Sequence, residues 1–239
     1  MVLAALLGLY LGLRGCSGWV ADLAVDRLPP SVDATVGKSA AESTRAEHAG
    51  GATATAAEQQ RVERVFGELR AALSPEQAKV LGEPRATVLG DSQINAFALP
   101  GGEVFVLTGL LARVGDDDGL LRAVLAHELG HAVLRHGLRS LARNAAFGMM
   151  VSFVIGDLDQ MTATLLAGAS QLDKLRYSRA MEREADEFGV ELLERSKHDP
   201  EDLARFLETL ESAPVPELLS THPDSAERAK AIRARAKDK

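Results

Sequence analysis

His127, Glu128 and His131 stand in the run His127-Glu128-Leu129-Gly130-His131, inside a segment whose apolar residues recur at helical spacing. Leu121, Val124, Leu125, Leu129, Ala132 and Val133 follow steps of three and four, the period of one helix face. Asp116, Asp117 or Asp118 can cap the start, and Gly137 can supply the left-handed residue that ends the helix. Residues four apart project from one face, one above the other, so both imidazoles can bind a single zinc ion at about 2.0–2.1 Å. Glu128 lies beside that face, where it can take a proton from an attacking water. The competing reading is a pair of ordinary polar histidines on a half-exposed helix. Histidine is scarce, six in the chain, and that weighs against coincidence.

Two histidines leave a catalytic zinc short of one protein ligand and one open position. A second acidic helix, Tyr177–Leu193, carries Glu182, Glu184, Asp186 and Glu187. Glu182 is the candidate third ligand. Asp186, one turn on, can accept the free N–H of a ligand imidazole and so fix its tautomer. Glu184 points away and suits surface ion pairs, and Glu187 suits solvent. An exposed-helix carboxylate is the alternative for Glu182, and spacing alone leaves the two nearly even. His136 is five residues past His131 and turns off the metal face, which suits a structural role.

These residues must be positioned by a chain of 239 residues, long enough for one medium domain with attachments. Apolar residues make up 46% but aromatics only 4%, so Leu, Ala and Val must fill the core. A net charge of −7, with no basic patch, argues against a nucleic-acid partner. Cys16 is alone, which excludes an intramolecular disulfide and Cys-rich zinc modules.

Residues 1–27 open with an uncharged apolar stretch, Met1–Leu13, interrupted by Arg14. Thirteen residues fall short of the about 20 that a spanning helix needs, so the segment reads as a shortened anchor or a signal-like piece. Residues 28–57 are small and polar and read as linker. Their Gly37-Lys38-Ser39 resembles the tail of a phosphate loop, but the first glycine would fall at Val32, which excludes ATP binding by that motif. Residues 58–239 form the remaining domain. It begins with an amphipathic helix over Glu58–Leu73, followed by a capped short helix at Ser74-Pro75-Glu76-Gln77. Ala86–Leu89, Ile94–Leu99 and Glu103–Leu107 then read as a small antiparallel sheet turning at Pro100-Gly101-Gly102. Its strand Glu103, Val104, Phe105, Val106 could offer an edge to an extended peptide. Beyond Gly137, Ala145–Ile155 and Met161–Ala169 read as a core helical hairpin, with membrane-surface insertion as the alternative. The fold class is α+β, mainly helical.

With these motifs in hand, the chain resembles the membrane-associated gluzincin metallopeptidases of the HtpX and CAAX prenyl protease type. The resemblance rests on H-E-L-G-H followed by Ser178-Arg179-x-x-Glu182-x-x-Ala185-Asp186. It extends to Asn95-Ala96-Phe97, Gly101-Gly102-x-Val104-Phe105-Val106-x-Thr108-Gly109, Arg135-His136-Gly137, and Thr221-His222-Pro223 with Arg228. It implies a zincin-like zinc endopeptidase with one Zn2+ per chain, Glu182 as third ligand, Asp186 behind the ligands, and no organic cofactor. The implied substrate is an unfolded or membrane-associated polypeptide in extended form. The implied location is a bacterial cell envelope, at the inner membrane or in the periplasm. His222 has three readings: a donor to the developing oxyanion, a resting ligand in the open position, or a structural helix start. A protease-fold chaperone or adaptor with a latent zinc site is the alternative function.

Overall fold

The helix that carries His127, Glu128 and His131 is buried along almost its whole length and packs against several of the other helices and the sheet. The computed structural model describes residues 21–51, 54–145, 152, 155–212 and 222–237. In chain order the helices are α1 (Pro30–His48), α2 (Ala56–Ala71) and α3 (Pro75–Leu81). The strands β1 (Arg85–Leu89), β2 (Ala96–Ala98) and β3 (Glu103–Leu107) follow. Then come α4 (Thr108–Val114), α5 (Asp118–Val133), α6 (His136–Asn144) and α7 (Leu158–Gly168), a 3-10 turn over Ala169–Lys174, α8 (Arg179–Arg195), α9 (Glu201–Ser212) and α10 (Ser225–Lys237).

Local chemistry sets these boundaries. Both α2 and α3 open with reciprocal capping boxes, Thr55 with Glu58 and Ser74 with Gln77. Asp117 caps α5 by accepting from the backbone N–H of Gly119 and Leu120. The end of α5 differs from expectation. The left-handed residue is Arg135 (φ 58°), not Gly137, which lies inside α6. Arg135 is held there by its partners: it donates to both oxygens of Asp33 at 3.1 and 2.6 Å and to the carbonyls of Val25 and Leu28.

The sheet is a wall between two cores, because side chains alternate along each strand. Val104 and Val106 face a core built with Val62, Phe66, Leu69, Leu125, Leu129 and Leu193. Phe105 and Leu107 face a second core with Val32, Val36, Leu138, Leu141, Met161 and Leu172. The result is helices on both faces of a three-stranded sheet of order β1-β3-β2. The sheet is mixed rather than antiparallel, since β1 runs parallel to β3 while β2 is antiparallel to it. A hairpin at Pro100-Gly101-Gly102 joins β2 to β3. The longer connection from β1 to β2 lets β1 reach the far side of β3 in the parallel sense.

Two further expectations change. Glu103, Val104, Phe105 and Val106 cannot offer a free edge, because β3 is central and hydrogen-bonded on both sides. Residues 28–57 are not linker: α1 takes 19 of them and buries Val32, Val36, Ala40 and Ala41 in the second core. Its buried stripe is made of small residues, which leaves little hydrophobic signal. Gly37 sits where α1 crosses the hairpin; a Cβ there would lie 1.8 Å from the Pro100 carbonyl oxygen. The Gly-Lys-Ser fragment is thus a helix-crossing contact.

Residues 21–27 are helical, and Ala21, Ala24 and Val25 are buried in the second core. The apolar stretch Met1–Leu13 and most of Ala145–Ile155 lie outside the described residues. Met161 and Leu165 of α7 are buried as core positions, while Leu158 is exposed. Among the described residues no helix is long and apolar enough to cross a membrane.

The Asp33–Arg135 pair ties α1 to the turn after α5. Burial pushes the Asp33 carboxyl above its usual range, against the pull of Arg135. Removing the cation therefore strands a buried acid. Arg135→Gly keeps the left-handed turn unstrained and should cost about 3–5 kcal/mol in urea unfolding. Adding Asp33→Asn should return part of that loss; a double variant no more stable than Arg135→Gly alone would refute the account.

Candidate metal centre and active site

Helix α8 crosses α5 at unusually close range because glycines sit at the crossing. A Cβ at Gly130 would lie 3.0 Å from the Ala185 carbonyl oxygen, and one at Gly189 would lie 3.3 Å from the backbone nitrogen of His127. The approach brings Glu182, in the first turn of α8, against the imidazoles of α5. His127 Nε2 and His131 Nε2 are 3.0 Å apart, and each is 3.5 Å from a Glu182 oxygen. From the start of the C-terminal segment, His222 Nδ1 reaches to 3.1 and 3.2 Å from the Glu182 oxygens and 3.4 Å from His127 Nε2. Donor atoms of all four residues lie within 4.8 Å of one another, and all four residues are buried.

This donor set fits a zinc ion. Ligands about 2.1 Å from a tetrahedral metal stand about 3.4 Å from each other, close to the spacings found here. Charge points the same way. The buried carboxylates of Glu128, Glu182 and Asp186 face one buried guanidinium, Arg228. When all three acids are ionised, two negative charges are left over, the charge of one divalent cation. Burial opposes charge on His127, but the Asp186 and Glu182 carboxylates prevail and push its pKa up to about 9. Burial likewise opposes ionisation of Glu182, yet His222 and the other imidazoles hold its carboxyl well below the usual range. The site is thus disposed toward positive charge.

The groups behind the ligands are equally ordered. His127 Nδ1 lies 3.0 Å from Asp186 Oδ1, which is the tautomer-fixing contact expected from the sequence. Asp186 is held by Arg228, which donates to both of its oxygens at 2.7 Å. Arg228 Nη1 also stands 2.6 Å from Glu182 Oε2. Glu128 is nearly inaccessible, and its Oε2 accepts the backbone N–H of Ala98 at 3.0 Å. Burial raises the Glu128 pKa, which makes it a stronger base than an exposed glutamate. Tyr177 stacks on the His131 ring at 4.0 Å.

His127, Glu128, His131, Glu182, Asp186 and His222 are therefore gathered at one place. Glu187 is exposed, as expected. Glu103, Val104, Phe105 and Val106 lie in the central strand. Sequence reasoning missed the positions of His136 and Tyr177. His136 Nδ1 lies 3.0 Å from His131 Nδ1, because α5 ends at Val133 and the turn through Leu134 and Arg135 swings residue 136 back. A helical projection continued past Leu134 could not find this. Arg228 was legible only as part of the late motif.

Beside Glu128 a narrow cleft is walled by Val124, Leu203, Phe206, Leu207 and Leu210. Of the two outer strands, β1 has its open side covered. The Gln59 amide donates to the Ala86 carbonyl at 2.9 Å and accepts the Val88 N–H at 2.8 Å, imitating a neighbouring strand. β2 is the other outer strand; its residues are buried, and its Ala98 N–H is donated to Glu128 beside the cleft.

Comparison with known proteins agrees with this geometry. The model of peptidase family M48 matches residues 56–236. The mitochondrial metalloendopeptidase OMA1 of Schizosaccharomyces pombe is 37% identical over 153 residues, covering 61% of this chain and 44% of the relative. The beta-barrel assembly-enhancing protease of Escherichia coli K12 is 35% identical over 153 residues, covering 57% and 31%. The OMA1 metalloendopeptidase of Bos taurus is 36% identical over 159 residues, covering 59% and 30%. The chain spans less than half the length of these relatives. With the family match extending from α2 to α10, across every residue of the buried cluster, the chain belongs to peptidase family M48.

Proposed function

We propose that the protein is a zinc-dependent endopeptidase that cleaves unfolded or membrane-associated polypeptides. The observation that carries this is the position of Glu128, between the His127–His131–Glu182 donor set and the backbone of β2. A zinc ion held by these donors supplies a Lewis acid that polarises a carbonyl and makes water easier to deprotonate. Glu128 takes the proton of the attacking water and delivers it to the leaving amine. Its Oε2 is aimed by the Ala98 N–H, so the strand that aligns a substrate backbone also orients the base. Asp186 and Arg228 hold His127 in register. An extended peptide adds to the edge of β2 and places an apolar side chain against the wall of α9. Backbone pairing favours unfolded chains, since most of the backbone of a folded one is already paired.

The relatives named above as proteases support the reading, and their names point to a mitochondrial setting and to beta-barrel assembly. For this chain we propose attachment to a membrane through the apolar N-terminal residues, in a cell envelope.

His222 favours a second reading of the resting protein. Its Nδ1 stands 3.1–3.2 Å from Glu182 and 3.4 Å from His127 Nε2, where it would be a fourth donor to a metal held there, while its Nε2 is 3.6 Å from Glu128 Oε1. We propose that it acts as a resting fourth ligand rather than as an oxyanion donor, which makes the site latent until the segment moves. The chaperone or adaptor function would be the extreme of that latency.

The test is to measure zinc content and cleavage of casein for the wild type and for His222→Ala. One zinc per chain in both, with faster cleavage by the variant, is the expected result. Slower cleavage by His222→Ala would return His222 to oxyanion stabilisation. Zinc bound with no cleavage by either would favour the chaperone, and no zinc in either would refute the metallopeptidase reading.

A further inference from the structure

His131 and His127 are supported in different ways, and the difference fixes where each proton sits. His127 donates directly to a buried carboxylate, Asp186. His131 faces another imidazole: its Nδ1 is 3.0 Å from His136 Nδ1, and His136 Nε2 is 3.1 Å from Glu184 Oε2. His136 is wholly buried, while the Glu184 side chain is 58% exposed.

A ring nitrogen that binds a metal carries no proton, so neutral His131, binding through Nε2, must carry its proton on Nδ1. That N–H needs an acceptor. His136 can accept at Nδ1 only if its own proton is on Nε2, and Nε2 points at the Glu184 carboxylate. One proton arrangement satisfies all three groups: His131 Nδ1–H donates to His136 Nδ1, and His136 Nε2–H donates to Glu184 Oε2. With the opposite tautomer of His136, two N–H groups would meet head-on at 3.0 Å and Glu184 would accept nothing from the ring.

We infer that His136, with its tautomer set by Glu184, is the positioning residue that holds His131 in the metal-binding tautomer and orientation. This rests on the metal site proposed above and adds residues to it. The arrangement has a physical reason. The site already holds the Glu128, Glu182 and Asp186 carboxylates, and a further acid directly behind His131 would add a desolvated negative charge. An interposed ring passes the orienting effect outward to a carboxylate that water can solvate. The turn at Arg135, locked to Asp33, fixes where the ring stands, and Tyr177 covers the face of His131.

The experiment measures affinity for zinc by competition with a chromophoric chelator, and the visible absorption of the cobalt-substituted protein. Four proteins are compared: wild type, His136→Leu, His136→Asn and Glu184→Ala. His136→Leu removes the acceptor and should weaken zinc binding about 10–100-fold, the usual cost of losing a partner behind a ligand. Its cobalt spectrum should change as His131 is released from its fixed orientation. His136→Asn restores an acceptor oxygen near the Nδ1 position and should recover most of the affinity. Glu184→Ala, at an exposed position that does not threaten folding, should give a smaller loss in the same direction. A purely structural role would lower the unfolding midpoint without moving affinity or spectrum, and Asn would not rescue it. Zinc affinity and cobalt spectrum unchanged in His136→Leu would overturn the inference. Should that variant not fold, wild-type affinity in Glu184→Ala, or a His136→Asn protein as weak as an unsupported site, would do so. Failure of the wild type itself to bind zinc would remove the metal-site reading, a different result from wild-type binding that His136 does not influence.

Discussion

Glu128→Gln should abolish most peptide cleavage while leaving zinc bound. The amide keeps the shape of the side chain and can still accept the Ala98 N–H through its oxygen, so the local packing survives. It cannot take a proton from water. Loss of a positioned general base costs about 10²–10⁴-fold. The loss should fall on kcat, with KM little changed, because Glu128 is buried, is not part of the proposed substrate contact, and acts only as the bond is attacked. Zinc content near one per chain, with casein cleavage down by that factor, is the expected outcome. Cleavage within a few-fold of the wild type would show that the proton goes elsewhere. Loss of zinc along with activity would make the variant uninformative about the base, and Glu128→Asp would then be compared. A shorter carboxylate that keeps zinc but loses rate would still place the proton transfer on this residue.

Arg228→Met should be the most destabilising change in the site, and by an amount that depends on zinc. The guanidinium is buried, donates to both oxygens of Asp186 at 2.7 Å and lies 2.6 Å from Glu182. Without it, two buried carboxylates lack their fixed cation, and breaking a buried pair in this way costs about 3–5 kcal/mol. A zinc ion held by the proposed site would return stability to the folded chain, about 2.7 kcal/mol when free zinc is a hundred times Kd. In the variant the metal also replaces positive charge that the site has lost. The gap between variant and wild type in urea unfolding should therefore be wide with a chelator and narrower with excess zinc. An equal gap under both conditions would mean that Arg228 acts by packing rather than by charge.

The chemistry was written in short-range pattern. His127 and His131 share a face because they are four apart on a strongly periodic helix, and Asp117 caps it where the acidic run suggested. Resemblance then selected Glu182 from the four acids between 182 and 187 on α8, and close crossing at Gly130 and Gly189 is what carries it to the histidines. The capping boxes of α2 and α3, the hairpin at Pro100-Gly101-Gly102 and the amphipathic stripe of α2 were equally local and equally legible. Periodicity, capping and turn chemistry depend on neighbours within a few residues, so one sequence suffices to read them.

Tertiary structure decided what depends on distant partners. Helix α1 was hidden because its buried stripe is Val, Ala and Gly, which pack by close approach rather than by bulk; only Pro100 across the hairpin explains Gly37. The direction of β1 and the central place of β3 follow from which strand docks on which side, and strand composition does not encode that. Hence β2 is the outer strand that meets Glu128, the side of β1 is closed by Gln59, and the expected substrate strand lies sealed within the sheet. The left-handed turn fell on Arg135 because Asp33, a hundred residues earlier, offers it a buried partner, and that turn is what swings His136 behind His131. The sequence by itself placed His127, Glu128 and His131 together on one helix. The fold decided which remote acids, rings and strand edge surround them, because those contacts join residues that only packing brings within a few ångströms.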